Sequence, residues 1–256
     1  MDNIRCEIKS IILKTIRQFW NFNLALVGII ISLTTGCNKV ESPVFGGTVT
    51  DVEGNVYHTV TIGTQTWMIE NLKTAHYADN TAIPVITDSA TWTNLKTPGC
   101  CWYENDSASY KSTYGTLYNW HAVKTNKLAP EGWHIPTDAE WSTLEDNVSQ
   151  YYNVSGSLAK ILAATTHWIK SGISGAAGNN MKTNNSSGFA ALPGGSRINY
   201  IHSFSQIDSV GGWWSSSYAA DTSALSLKLA NNLSTVERIN CKRMCGFSIR
   251  CIKDKN

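Results

Sequence analysis

The feature that most constrains this chain is the start of a helix near its middle. Residues 130–141 read Pro-Glu-Gly-Trp-His-Ile-Pro-Thr-Asp-Ala-Glu-Trp, so that Thr137 precedes Glu140 by three positions. The Thr137 hydroxyl can accept the Glu140 backbone N–H while the Glu140 carboxylate accepts the Thr137 N–H. This exchange satisfies two donors that a helix start otherwise leaves without partners, and it fixes where the helix begins.

The residues on either side of this start predict what the helix does. Trp141, Leu144 and Val148 follow at helical spacing and give the helix one apolar face. Pro136 keeps the residue before it extended. We therefore expect a short strand or loop that runs into an amphipathic helix ending near Ser149.

The N-terminal residues predict export. The apolar run at 24–33 follows basic residues and has the length of a signal peptide rather than the roughly 20 residues of a membrane span. Residues 34–37, Thr-Thr-Gly-Cys, resemble the lipobox of a bacterial lipoprotein, whose cysteine is lipidated. We expect a leader at 1–36 and a tether at 37–45 that anchors an outer-membrane lipoprotein. The alternative is an ordinary signal peptide, with Cys37 free or disulfide-bonded.

Alternating polar and β-branched residues predict a hairpin after the tether. Residues 44–51 and 56–62 alternate on either side of a Glu-Gly-Asn turn, and residues 66–69 predict a third strand. From 78 to 112 the sequence is polar and lacks strong periodicity, which predicts a long loop with short strands. Residues 114–123 resemble a strand or a short helix.

The second half of the chain predicts one more helix and several strands. Residues 157–163 have helical spacing, and 172–185 are rich in Gly, Asn and Ser, which indicates a loop. We expect a tight turn at 193–195 and a hairpin tip at 199–206. Alternation predicts terminal strands at 223–229, 234–239 and 246–252. Few helices and many short strands place the chain in the α+β class.

The chain also resembles a known family. Gly132 to Trp141 looks like the hallmark of the Fibrobacter succinogenes major paralogous domain family. Further blocks resemble that family in its own order: 64–72, 101–106, 114–120, 188–195, 213–217 and 246–251. The resemblance implies one domain over residues 46–254. It also implies a C-type-lectin-like or sulfatase-modifying-factor-like fold, with two helices flanking a twisted, mainly antiparallel sheet and long loops. No activity is established for the family.

Charge and composition limit the function. Residues 1–36 hold four of the 21 basic and two of the 19 acidic residues, so the remainder carries 17 of each and is neutral. That balance does not support a nucleic-acid-binding surface. Ten Trp and ten Tyr with only 16% charged residues suit an extracytoplasmic binding module, although most of the Trp are expected in the core.

Two segments supply the candidate ligand contacts, because rings can stack on a ligand while amide and carboxylate oxygens orient it. The candidates are Trp102, Tyr103, Asn105, Asp106, Trp213 and Trp214. Adjacent residues on a strand point to opposite faces, so we expect one of the two neighbouring Trp in the core and the other at the surface. The predicted ligand is a glycan or another protein at the cell surface or in the periplasm.

The sequence carries no recognised catalytic motif. A nucleophile elbow, a phosphate loop and a His-Glu-x-x-His helix are all missing, so neither hydrolase nor nucleotide chemistry is expected. Glu104, Asn105 and Asp106 could supply oxygen ligands to calcium, but calcium takes six to eight of them and the calcium-loop patterns are absent. We expect no enzyme and no cofactor, with calcium as the remaining possibility.

Five cysteines follow Cys37, and export would let them form disulfides. They are Cys100, Cys101, Cys241, Cys245 and Cys251. The family resemblance implies a bridge from position 129 to Cys251, but position 129 is Ala in this chain. We expect Cys100 or Cys101 to pair with Cys245 or Cys251. If Cys241 and Cys245 share one strand, they lie roughly 13 Å apart, too far for a bridge.

Two other function classes remain open. One is a structural surface protein without a small ligand. The other is a copper-thiol oxidase similar to formylglycine-generating enzymes, which use a copper-binding cysteine pair late in the chain. Cys241 and Cys245 invite that comparison because soft thiolates suit Cu(I), but the residues around them do not resemble that family's motif.

Overall fold

The computed structural model describes residues 41–198, 203–220 and 222–255. The expected leader, Cys37 and the rest of the tether up to residue 40 lie outside these residues. Twelve strands form in the described part of the chain: β1 (Val44–Thr50), β2 (Val56–Ile62), β3 (Gln65–Met68), β4 (Cys100–Cys101), β5 (Leu117–Tyr118), β6 (Trp133–His134), β7 (Gly194–Ile198), β8 (Ser203–Ile207), β9 (Val210–Ala220), β10 (Ser223–Ala230), β11 (Glu237–Lys242) and β12 (Ile252–Lys253).

The helices are short, with one exception. Over the same residues they are α1 (Ser89–Thr93), α2 (Ser107–Tyr114), α3 (Trp120–Val123), α4 (Asp138–Tyr152) and α5 (Leu158–Leu162), with 3-10 turns at Tyr103–Asn105 and Met181–Thr183. Only α4 has more than eight residues. No helix among the described residues is long and apolar enough to cross a membrane.

The strands form two five-stranded sheets and one small pair. The first sheet has the order β1-β2-β3-β12-β6 and is antiparallel throughout. The second has the order β11-β10-β9-β7-β8, with β7 and β9 parallel. Strands β4 and β5 pair separately. Mixed helices and mainly antiparallel sheets confirm the α+β class, but two sheets replace the single sheet that was expected.

The central helix begins as predicted. The Thr137 hydroxyl accepts the Glu140 N–H at 3.3 Å and the Glu140 carboxylate accepts the Thr137 N–H at 2.8 Å, which confirms the reciprocal cap. The apolar face of α4 is buried, and the Trp141 ring lies 4.7 Å from the Trp67 ring. The helix continues to Tyr152, three residues past the expected end, and stops where Asn153 adopts a left-handed conformation.

The long polar region at 78–112 contains more structure than predicted. The β1–β2 hairpin before it is confirmed, but α1 and α2 lie where only loop and strands were expected. Asp88 caps α1 by accepting the Thr91 N–H, and Asp106 caps α2 by accepting the Ser109 N–H. The prediction failed because the caps were present without an apolar period behind them.

The tight turn expected at 193–195 is centred on Pro193, where the Gly194 N–H donates to the Leu192 carbonyl oxygen at 2.9 Å, and it does not extend further because Gly194 and Gly195 belong to β7. Gly195 has φ +64, and a Cβ there would lie 2.7 Å from the Ser205 carbonyl oxygen and 2.8 Å from the Tyr103 ring. Glycine is therefore required for the close approach of β7 to its neighbours. The expected hairpin tip falls partly in β8, while its residues 199–202 lie outside the described part.

Both neighbouring tryptophans of β9 are buried. Trp213 and Trp214 are each 0% exposed, because both faces of the second sheet are covered. Trp213 packs in the cluster that contains Trp141 and Phe189, and Trp214 packs on the far face in the cluster that contains Phe247. The expectation that one of the two rings faces the surface is wrong, and neither can contact an external ligand in this arrangement.

One buried arginine, the core arginine Arg250, joins these layers. It is 0% exposed and donates to the Phe189 carbonyl oxygen and, at 2.9 Å, to Asn71 Oδ1. Its guanidinium lies over the Phe189 ring at 4.3 Å and the Trp213 ring at 5.8 Å. The Trp213 indole N–H donates to the same Asn71 oxygen at 2.9 Å, so one amide connects the arginine to β9.

The structure contains none of the expected disulfides: the five described cysteines are all thiols. Cys100 lies in the same core cluster as Cys245 and Cys251, whereas the side chain of Cys101 points to the other face of β4, into a small cluster with Trp92 and Leu117. The 13 Å separation was predicted for Cys241 and Cys245 on one strand, and the two residues do not share a strand. Strand β11 ends at Lys242, and the following turn returns Cys245 to the core cluster against which Cys241 packs.

Candidate functional site

Five aromatic side chains from four separate segments form one cluster, which we call the aromatic face: Tyr103, Tyr110, Tyr114, His167 and Phe204. The Tyr103 ring lies 5.1 Å from Tyr110 and 5.4 Å from Phe204. Tyr110 lies 6.2 Å from Tyr114, which lies 5.5 Å from His167. The 3-10 turn, α2, β8 and the loop after α5 each contribute to this cluster.

The five rings differ in what they offer to solvent. Tyr103 and Tyr114 are 6% and 8% exposed and form the base of the face. Tyr110 and Phe204 are half-buried, and His167 is exposed. A ligand can therefore reach the outer sides of Tyr110, Phe204 and His167, while the two buried tyrosines hold them in place.

A polar group lies beside these rings. The Tyr114 hydroxyl donates to Asp208 Oδ1 at 2.5 Å and lies 3.2 Å from His167 Nδ1. Burial and the hydrogen bond to Asp208 raise the pKa of Tyr114 well above its usual value. The phenol therefore remains a protonated donor, and Asp208 is half-exposed with acceptor capacity left.

The backbone around the face adopts unusual conformations. Positive φ angles occur at Glu104 (51°), Asn105 (59°), His167 (68°), Gln206 (68°) and Asp208 (60°). Side chains other than glycine rarely adopt this region, and each such residue costs on the order of 1 kcal/mol or more. Strained residues of this kind cluster at functional sites, where the surrounding structure holds a particular shape.

A second buried arginine, the face arginine Arg197, supports the cluster from below. It is 1% exposed and donates to the carbonyl oxygens of Ile86 at 2.6 Å and Thr87 at 2.9 Å. Its guanidinium lies 4.5 Å from the Trp92 ring and 4.9 Å from the Phe204 ring. The half-exposed Phe204 ring therefore rests on a fixed cation rather than on flexible side chains.

The structure separates the six predicted contacts. Tyr103 belongs to the aromatic face. Trp102 next to it is half-buried, and its indole N–H has no partner among the described residues. The Asn105 amide donates to the Thr87 carbonyl oxygen at 3.0 Å, and Asp106 is exposed but serves as the cap of α2. The two tryptophans of β9 lie in the core, away from this loop.

Sequence reasoning missed four members of the face. Tyr110 and Tyr114 are four residues apart behind the Asp106 cap, and this single pair was the available signal, although one pair is too short to form an apolar period. Phe204 and His167 had no comparable signal. They reach the face only because β8 and the loop after α5 fold over α2.

A second concave region surrounds the hallmark stretch at 130–141. Two cavities of about 220 and 160 Å³ adjoin it and share Leu128 as a wall. Asp51, His76 and Glu131 line the first, and Trp133 and His134 line the second. Both volumes fall below the roughly 300 Å³ at which small-molecule sites begin. Each cavity is therefore smaller than a typical small-molecule site.

His134 is held between two carboxylates beside the smaller cavity. Its Nδ1 lies 2.6 Å from Asp254 Oδ1 and its Nε2 lies 2.9 Å from Glu140 Oε1. Burial alone would lower the pKa of His134, but the hydrogen bonds and charges of the two carboxylates outweigh it and raise the pKa. The same Glu140 caps α4, so this histidine links the last strand to the central helix.

No group of three or more His, Cys, Asp or Glu side chains within the described residues is placed to hold a metal ion. Glu104, Asn105 and Asp106, considered above for calcium, do not form such a group there. Asp106 already accepts a backbone N–H, and the Asn105 amide N–H donates to Thr87, while Asn105 Oδ1 has no partner among the described residues. Calcium at this loop therefore stays a prediction.

Comparison with known proteins gives one match. The family model described as Fibrobacter succinogenes major domain matches residues 60–253, from β2 to the end of β12. No curated protein and no solved structure matches the chain.

Proposed function

This chain belongs to the Fibrobacter succinogenes major domain family, and we propose that it is an exported module that binds a glycan on the aromatic face. The proposal includes a C-type-lectin-like fold, a leader at 1–36 and lipidation at Cys37. A lipid anchor would place the face at an outer-membrane surface, where glycans are abundant.

The observation that carries the proposal is the pairing of outward rings with a fixed polar group. Tyr110 and Phe204 offer half-exposed ring faces, and the Tyr114, Asp208 and His167 group lies beside them. Sugars present C–H faces, which stack on such rings, and hydroxyl edges, which need donors and acceptors close by. The neutral charge of residues 37–256 suits an uncharged ligand better than a nucleic acid.

The rigid base of the face supports the same function. A ligand that binds to preformed groups loses less free energy to ordering than one that binds to mobile loops. Tyr103 and Arg197 are buried below the outer rings and hold them through ring and guanidinium contacts. The positive φ angles at Gln206 and Asp208 fix the turn that places the carboxylate.

A glycan array tests the proposal. The purified protein should bind a defined set of glycans, and the double variant Tyr110→Ala/Phe204→Ala should bind them at least roughly tenfold more weakly, because two stacking rings are lost. Tyr151→Ala is the matched control, since Tyr151 is a 40% exposed tyrosine on α4, outside the face. Its binding should equal that of the unchanged protein.

Two results would contradict the proposal. If the array is blank, a glycan ligand is excluded over the structures displayed, and a protein ligand or a purely structural role takes its place. If the double variant binds glycans as tightly as the control does, the module binds glycans elsewhere, and the cavities at the hallmark stretch become the next region to mutate.

A further inference from the structure

Cys241 and Cys245 form a pair that the linear sequence hides. Cys241 lies near the end of β11, opposite Ala224 of β10. The chain then turns, with the Cys245 N–H donating to the Lys242 carbonyl oxygen at 2.9 Å. This turn returns Cys245 to the core cluster against which Cys241 packs, so the two thiols lie close together, and the Cys245 thiol raises the pKa of Cys241.

The surroundings hold the two thiols together. Cys245 is 2% exposed and belongs to the main core cluster, while Cys241 is half-buried and packs against the same cluster. Ser226 of β10 lies opposite Ile239 in the neighbouring register position, and its hydroxyl donates to the Ile239 carbonyl oxygen at 3.3 Å. Among the described residues, no group of three or more His, Cys, Asp or Glu side chains that could hold a metal ion includes this pair.

We propose that Cys241 and Cys245 are a modification site: in the presence of a low-molecular-weight disulfide they form an intramolecular disulfide. The half-buried Cys241 attacks the reagent first, and Cys245 then displaces the mixed disulfide. The S–S bond of the reagent breaks and the Cys241–Cys245 S–S bond forms. Two electrons and two protons leave the protein on two molecules of the reduced reagent.

The electrostatics of Cys241 set the speed of this reaction. The neighbouring Cys245 thiol and burial raise the pKa of Cys241, so little thiolate is present near neutral pH. The pair is therefore oxidised slowly and reacts slowly with an added disulfide. This chemistry does not depend on glycan binding, although an exported protein would meet the oxidising conditions that it needs.

The bridge would fix a specific surface element. Arg243 lies inside the turn that the two cysteines enclose, and its guanidinium lies 4.9 Å from the Trp120 ring and 5.4 Å from the Tyr218 ring. Its Nη2 also donates to the Ala220 carbonyl oxygen at 3.1 Å. A covalent link across the turn would hold this stacked arginine, and the 65% exposed Tyr218 above it, in one arrangement.

Peptide mapping tests the inference on the unchanged protein. Trypsin cuts after Arg238, Lys242, Arg243 and Arg250, so the two cysteines fall in separate peptides, 239–242 and 244–250. The folded protein is incubated with oxidised glutathione, its remaining thiols are alkylated after unfolding, and it is digested. We expect a linked 239–242/244–250 pair that disappears on reduction. The cysteines of peptides 97–111 and 251–253 should remain alkylated.

Two variants and a thermal scan complete the test. Cys241→Ser and Cys245→Ser should each abolish the linked pair. Oxidation should raise the melting temperature of the unchanged protein by roughly 4 °C, as expected for a short closed loop in a chain of this length, and should leave both variants unshifted. Full alkylation of both cysteines after oxidation, or a predominant link to any other cysteine, would overturn the inference.

Discussion

The core arginine and the face arginine are built alike but serve different regions. Arg250 and Arg197 are both buried, both lie over two aromatic rings, and both donate to backbone carbonyl oxygens. Arg250 lies between Phe189 and Trp213, which are themselves buried, whereas Arg197 supports Phe204, which is half-exposed.

The difference shows what a buried cation can be used for. Burying a guanidinium is costly, and burial lowers the pKa of Arg250 to about 9, although it stays charged at neutral pH. In the core that cost is offset by hydrogen bonds that join the layers. Under the aromatic face the same device stiffens a ring whose other side is open, which is the arrangement that a recognition surface needs.

The largest effect should come from removing the core arginine. Arg250→Ala leaves a cavity between two rings and removes the donor of the Phe189 carbonyl oxygen, so we expect the free energy of unfolding to fall by about 3 kcal/mol. Urea denaturation measures it. Arg250→Met is the control that keeps the volume and should lose less. A loss below about 1 kcal/mol for Arg250→Ala would show that the core does not depend on this residue.

Removing the face arginine should cost less stability and more binding. Arg197→Ala frees the Ile86 and Thr87 carbonyl oxygens close to the surface, where water can replace the donor, so we expect a loss of about 2 kcal/mol. Because the Phe204 ring loses its support, affinity for any glycan found on the array should also fall. Equal affinity in Arg197→Ala and the unchanged protein would break the comparison.

A smaller effect should follow at the polar group of the face. Tyr114→Phe removes one hydroxyl that donates to Asp208, and we expect a loss of about 1 kcal/mol in the free energy of unfolding with the ring contacts retained. If Asp208 and His167 orient the ligand, the binding enthalpy of the variant, measured by isothermal titration calorimetry, should be less favourable than that of the unchanged protein. A stability loss as large as that of Arg250→Ala would mean that the face is part of the core.

The smallest effect lies outside both regions and supplies a pH signature. Because the pKa of His134 is raised in the folded protein, its contribution is complete below the unfolded pKa and is lost as pH rises through the folded value. The side chain is 36% exposed, so screening limits the contribution to a few tenths of a kcal/mol. Melting temperature measured from pH 6 upward should fall less in His134→Gln than in the unchanged protein, and identical slopes would contradict this.

The parts of the fold that could be predicted are those with local causes. The cap at Thr137, the apolar face of α4 and the β1–β2 hairpin depend on residues close in sequence, and the structure confirms them. Helices α1 and α2 were missed although their caps, Asp88 and Asp106, were visible, because no apolar period followed them.

The candidate site was predicted only in part, for a related reason. Tyr103 was identified from composition and position, but Phe204, which contacts it, and His167, which contacts Tyr114, come from segments about 60 to 100 residues away from Tyr103. No local pattern indicates which distant ring will lie against which. Trp213 and Trp214 were misplaced because a strand pattern cannot show whether one or both faces of its sheet are covered.

The sequence by itself determined the family, the α+β class, the central capped helix and the leading hairpin. The helix and the hairpin depend on hydrogen bonds and side-chain spacing between residues that are close together in the sequence. Only the tertiary structure decided which rings reach the surface, that two arginines are buried, and that Cys241 and Cys245 meet across a turn. These outcomes depend on how distant segments pack against one another, and burial is a property of that packing rather than of any one stretch.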